Sequence, residues 1–118
     1  MHKESFQTDV TFDDKKVKTR VILETPFSKE IQIVMSRGQI MKEHQAPYPI
    51  IIHILNGAIE LGVNQVRHKL EHGDIITLDA RVPHDLKALE NTTIRLSLFK
   101  KDQAHRLSPG SETLKQDS

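Results

Sequence analysis

Short segments that alternate apolar and polar residues every second position, cut at intervals by glycine, proline and asparagine, constrain this chain more than any other feature. Val17, Thr19, Val21 and Leu23 alternate with Lys16, Lys18, Arg20 and Ile22. Side chains on an extended strand point to opposite faces in turn, so this period marks a half-buried strand. The stretch from Glu30 to Met35 repeats the pattern, and Ser36-Arg37-Gly38 turns into a strand from Gln39 to His44. Pro47 and Pro49 flank Tyr48 and break the ladder, because proline donates no hydrogen bond and restricts its neighbour.

The strand from Ile50 to Leu55 is apolar on both faces and needs cover on both, from a second layer or from a partner subunit. Asn56-Gly57 reads as a hairpin signal, and further strands follow over residues 59–63, 66–70, 74–78, 85–89 and 93–99. That makes about nine strands at the roughly 8 to 12 residue spacing of a sandwich or barrel. No 3.6-residue period is sustained, so an all-β fold is expected.

At 118 residues the chain fits one domain, with a barrel core over about residues 8–100 and a polar, flexible tail over 101–118. Lys and Arg number 17 against 16 Asp and Glu, with neither sign gathered into a block, which argues against nucleic acid and membrane surfaces as partners. The most apolar run, Ile50 to Leu55, is far too short to span a bilayer, and a cytoplasmic location is expected. With no cysteine, any metal must be held by nitrogen and oxygen ligands.

Two glycine-to-histidine intervals carry the functional reading. Gly38 is followed after five residues by His44, with Gly57 further on; Gly73 is followed after ten residues by His84, directly behind Pro83. These intervals resemble the two signature motifs of the cupin superfamily, and the stretches His53–Leu61 and Gly73–His84 are similar in phrasing. The resemblance runs over residues 31–99. It departs from the family pattern at Ala46, where a second histidine would stand, and at Ile50, where a glutamate would stand. In the second motif Asp79, Arg81 and Ala88 replace proline, glycine and asparagine.

The resemblance implies a small RmlC-like cupin: a single antiparallel β-barrel, a jelly roll of two facing sheets. It also implies that His44 and His84 meet in its cavity. Alternation turns Ala46, Ile50, Ile52 and Ile54 inward with His44, and His53 outward. A bulge at the Pro47-Tyr48-Pro49 break would reverse that and bring His53 inward as a third imidazole.

His44, His84 and His53 are therefore the candidate ligands for a divalent metal such as Zn, Fe, Ni or Mn. Ile50, Ile52, Tyr48 and Arg81 are the candidate ligand-binding residues. The apolar isoleucines favour a small molecule with an apolar body and one polar end, and Arg81 suits an anionic group. Two functions stand open: a small-molecule binding module, or a metal-dependent cupin enzyme of dioxygenase or isomerase type with a reduced ligand set. Ile51 and Leu55, apolar on the outer face of their strand, point to a homodimer.

Overall fold

The computed structural model describes residues 1–100; the polar tail expected over 101–118 lies outside them. Nine strands form: β1 (Lys18–Glu24), β2 (Ser28–Met35), β3 (Ile40–His44), β4 (Ile50–Asn56), β5 (Ala58–Val63), β6 (Val66–Glu71), β7 (Ile75–Leu78), β8 (His84–Ala88) and β9 (Thr92–Phe99). No helix among the described residues is long and apolar enough to cross a membrane.

The strands make a five-stranded sheet, in the order β1-β2-β9-β4-β7, and a four-stranded sheet, in the order β3-β8-β5-β6. Every pairing is antiparallel. The two sheets face each other as a jelly roll and are not hydrogen-bonded into a closed cylinder. Alternation decides what lies between them. Ile33 and Met35 of β2, Ile52 and Ile54 of β4, Ile59 of β5 and Ile94 of β9 are at most 2% exposed. β-Branched residues suit this pleated, tightly packed surface.

The tight hairpins read from the glycine turns are corrected by the strand order. β4 and β5 lie in different sheets, so Gly57, the single residue between them, is a corner and not a hairpin turn. Gly38 and Gly73 likewise sit where the chain crosses between sheets. All three have φ near +90°, a region open to glycine and closed to most residues. The tight two-residue hairpin is the β5–β6 turn, where Asn64 and Gln65 have φ of 52° and 64°, both positive as a primed turn demands.

The bulge weighed as an alternative at the proline break is absent from the start of β4. β4 pairs without interruption from Ile50 to Ile54 against β9, so the proline pair ends before the ladder begins. The irregularity that positions the site is in β3, where Met41 pairs with Leu86 and His44 with His84, so that Lys42 and Glu43 on β3 stand against Asp85 alone on β8. The extra residue resets the parity of the strand, so that both Met41 and His44 fall on the inner face.

The N-terminal segment lies along the outer face of the five-stranded sheet. Gln32 donates to the Phe6 carbonyl at 2.8 Å, and Arg20 donates to the Thr8 carbonyl at 3.1 Å. Leu55, expected on an open face, lines a 550 Å³ depression with Phe6, Val10 and Phe12. Part of the apolar outer surface of β4 is thus covered by the chain itself.

Candidate functional site

His44 ends β3 and His84 begins β8, and they are direct cross-strand partners. Their ring centroids are 4.3 Å apart, with the planes inclined at 59°. His84 is 3% exposed, whereas His44 is exposed at the open end of the jelly roll. Each ring is held by the carbonyl two residues before it: His44 Nδ1 lies 2.6 Å from the Lys42 oxygen and His84 Nδ1 2.9 Å from the Val82 oxygen. A carbonyl can only accept, so each Nδ1 carries the proton, and in the neutral ring Nε2 presents its lone pair.

Burial pushes the His84 imidazole below the usual histidine value; the Val82 carbonyl opposes this, and His44 adds to it. Desolvation disfavours the charged ring, so His84 is neutral at neutral pH. Its Nε2 therefore offers a hydrogen-bond acceptor beside the His44 ring, suited to a hydroxyl or to a cation.

His53 does not join them. It pairs with Arg95 and Ile75 on the outer face of the five-stranded sheet, because β4 keeps its register through this position. Its Nδ1 is buried there without a hydrogen-bond partner among the described residues. Among the described residues no group of three His, Asp or Glu side chains is placed to hold a metal. Asp85, next to His84, is on the opposite face of β8 and accepts from Arg67 at 2.6 Å. A catalytic metal usually takes three protein ligands, so this donor set does not fit such a centre; it amounts to two imidazoles.

The candidate ligand-binding residues separate as well. Ile52 is 2% exposed and packed in the core between the sheets, on the inward face expected of it. Ile54, also read as facing the cavity, is fully buried. Ile50 and Tyr48 line a pocket of 280 Å³ at the open end together with Ala46, Leu98 and Lys29. Arg81 borders a neighbouring 230 Å³ depression with Gln45, Ala46 and Pro47. Its amide donates to the Ala46 carbonyl at 2.8 Å, and its φ is +63°.

Lys29 was not anticipated, because its strand was read as starting at Glu30. Its parity with Ile31, Ile33 and Met35 was the available signal. Two further polar side chains are engaged elsewhere: Glu60 accepts from Arg67 at 2.8 Å, and Gln39 donates to the Asp13 carbonyl at 2.7 Å.

Residues 31–100 match the family model of the cupin domain. The chain belongs to the cupin family. Solved structures agree on the fold of this cupin. An RmlC-like cupin from Desulfovibrio desulfuricans superposes with a TM-score of 0.75 at 18% identity, covering 82% of this chain and 94% of that one. A conserved protein of unknown function from Streptococcus pyogenes gives 0.74 at 21% identity, covering 83% and 86%. A cupin superfamily protein from Desulfitobacterium hafniense gives 0.71 at 11% identity, covering 75% and 82%. None of the curated proteins matches the chain. The cupin identity implied by the histidine spacings is thereby shown, while identities this low speak to fold alone.

Proposed function

We propose that this cupin is a small-molecule binding module whose open end takes a compact ligand with an apolar body, the His44–His84 pair accepting a hydrogen bond from its polar end. The observation that carries this reading is the pair itself: adjacent rings at 4.3 Å, each oriented by a backbone carbonyl that leaves Nε2 available. Ala46 and Ile50 stand where the family pattern has further ligands, which leaves the two imidazoles as the polar groups of that pattern here.

A divalent ion such as Zn, Fe, Ni or Mn is the second reading. A ring whose other nitrogen is bonded to a carbonyl has the outer-shell arrangement typical of metal-bound histidine. With two imidazoles from this chain, the remaining positions would fall to the ligand and water. The dioxygenase or isomerase reading requires a further donor that the described residues do not supply.

1-Naphthol, with its environment-sensitive emission, an apolar body and one hydroxyl, is a suitable probe. His44→Ala and His84→Ala should each weaken its binding about five- to tenfold, the loss of one hydrogen bond with its orientation. The double variant should be scarcely weaker than either, since groups in one site are not additive. Wild-type binding by His84→Ala would overturn the reading. Metal analysis after equilibration with Zn²⁺, on protein purified without a nickel column, tests the second reading through the same variants.

Homodimerisation through the outer face of the five-stranded sheet belongs to the same proposal. Ile75 is 56% exposed there beside His53, whose Nδ1 has no partner among the described residues, and a two-fold contact is the commonest way to cover such a patch.

A further inference from the structure

The two positions at which this chain departs from the metal-binding motif, Ala46 and Ile50, do more than remove ligands. Both line the 280 Å³ pocket at the open end, with Leu98 and Tyr48 as further apolar wall. Ala46 and Pro47 border this pocket on one side and the Arg81 depression on the other. Its lining includes neither His44 nor His84.

Two ammonium groups stand at its rim. Lys100 is engaged: its Nζ lies 2.7 Å from a Glu24 carboxylate oxygen and donates to the Thr25 carbonyl at 2.7 Å. Lys29 faces Glu24 across the β1–β2 register but makes no ion pair of its own among the described residues. Among the described residues two positive charges thus share one carboxylate, which leaves an excess of one beside an apolar cavity.

We propose that this pocket is a second binding site, distinct from the histidine pair, which takes the carboxylate of a small apolar acid on Lys29 and its hydrocarbon body against Ala46, Ile50 and Leu98. One unpaired ammonium matches a monocarboxylate. The tyrosine hydroxyl is a further donor for the same anion. At 280 Å³ the pocket lies just below the roughly 300–1,000 Å³ range of drug-sized sites, which favours a short acid. The proposal does not depend on the function assigned to the histidine pair.

Tyr48 makes the test direct, because the chain has one tyrosine and no tryptophan, so ultraviolet-excited emission reports on this pocket. Hexanoate should change that emission saturably, and hexanamide, its neutral counterpart, should bind about tenfold more weakly, the loss of one charge-assisted hydrogen bond. Lys29→Met should bind the two compounds alike and Lys29→Arg should restore the preference. His44→Ala should keep it, and Lys29→Met should still bind 1-naphthol. Equal affinity of the wild type for hexanoate and hexanamide, or a preference that survives in Lys29→Met, would overturn the assignment. So would unchanged Tyr48 emission at high hexanoate. Loss of hexanoate binding in His44→Ala would show one site and not two.

Discussion

Replacing Gly57 with alanine should be the most damaging of the three motif-glycine substitutions, and the structure says by how much. Gly38, Gly57 and Gly73 have nearly the same φ, +89°, +93° and +91°. Each alanine variant therefore bears a similar backbone strain of about 1–3 kcal/mol. They differ in what a new Cβ would meet. At Gly38 and Gly73 nothing lies within 4 Å, whereas at Gly57 the methyl would sit 2.4 Å from the Asn91 carbonyl oxygen and 2.8 Å from Thr92 Cα.

Backbone cannot swing aside as a side chain can. The Thr92 hydroxyl, fully buried, also accepts from the Ala58 amide at 3.1 Å and lies 3.0 Å from the Ala58 carbonyl oxygen as its donor. Moving this corner forfeits those bonds, at about 1 kcal/mol each. Gly57→Ala should thus cost about 3–5 kcal/mol, and each of the other two about 1–3. Against a total stability of roughly 5–15 kcal/mol, the first variant approaches unfolding. Urea titration followed by far-ultraviolet circular dichroism separates them as a shift in midpoint at constant slope. A Gly57→Ala midpoint equal to that of Gly38→Ala would refute the steric argument.

Glu30 accepts from Ser97 at 2.5 Å, Ser28 at 2.9 Å and Arg95 at 3.0 Å. Burial alone would raise its carboxyl, but these bonds outweigh it and hold the group below its ordinary 4.5. The unfolded state then binds the proton more readily, so the contribution is complete above that value and is lost as pH falls below it. Glu30→Gln should cost about 2 kcal/mol at neutral pH and flatten the acid limb of the stability curve, measured by urea midpoints across pH. His84 has the same sign, with burial as the main cause: stability should decline as pH falls below the ordinary 6.5, and His84→Gln should remove that decline. For the dimer, multi-angle light scattering at micromolar concentration should give twice the chain mass. Ile75→Lys should return it to the monomer, and a monomeric wild type would end that proposal.

The all-β class, the succession of strands along the chain and the two histidines were legible in the sequence because each rests on local chemistry. Alternation marks a strand wherever one face is buried, and Pro47 and Pro49 interrupt a ladder whatever surrounds them. The family spacings carried the rest: Gly38 to His44 and Gly73 to His84 implied that residues far apart in the chain would meet. Boundaries were off by a residue or two, and that small error hid Lys29. Beginning β2 at Ser28 adds one more inward position at the open end.

What alternation could not decide is parity across an irregularity, or which strand a turn leads to. Counted from Met41 without interruption, the inner face would hold Glu43, and His44 would point out. One extra residue between Met41 and His44 reverses this, and it is visible only as a register against β8. Asn56-Gly57 has the same local signature whether it closes a hairpin or turns a corner between sheets, because a positive φ serves both. The sequence by itself determined a β chain with one histidine late in each of two glycine-led segments. The tertiary structure decided that those histidines touch and that His53 does not join them. It also decided that Ala46 and Ile50 open an apolar pocket beside a lysine, because packing between two sheets, not the period of either, sets which faces meet.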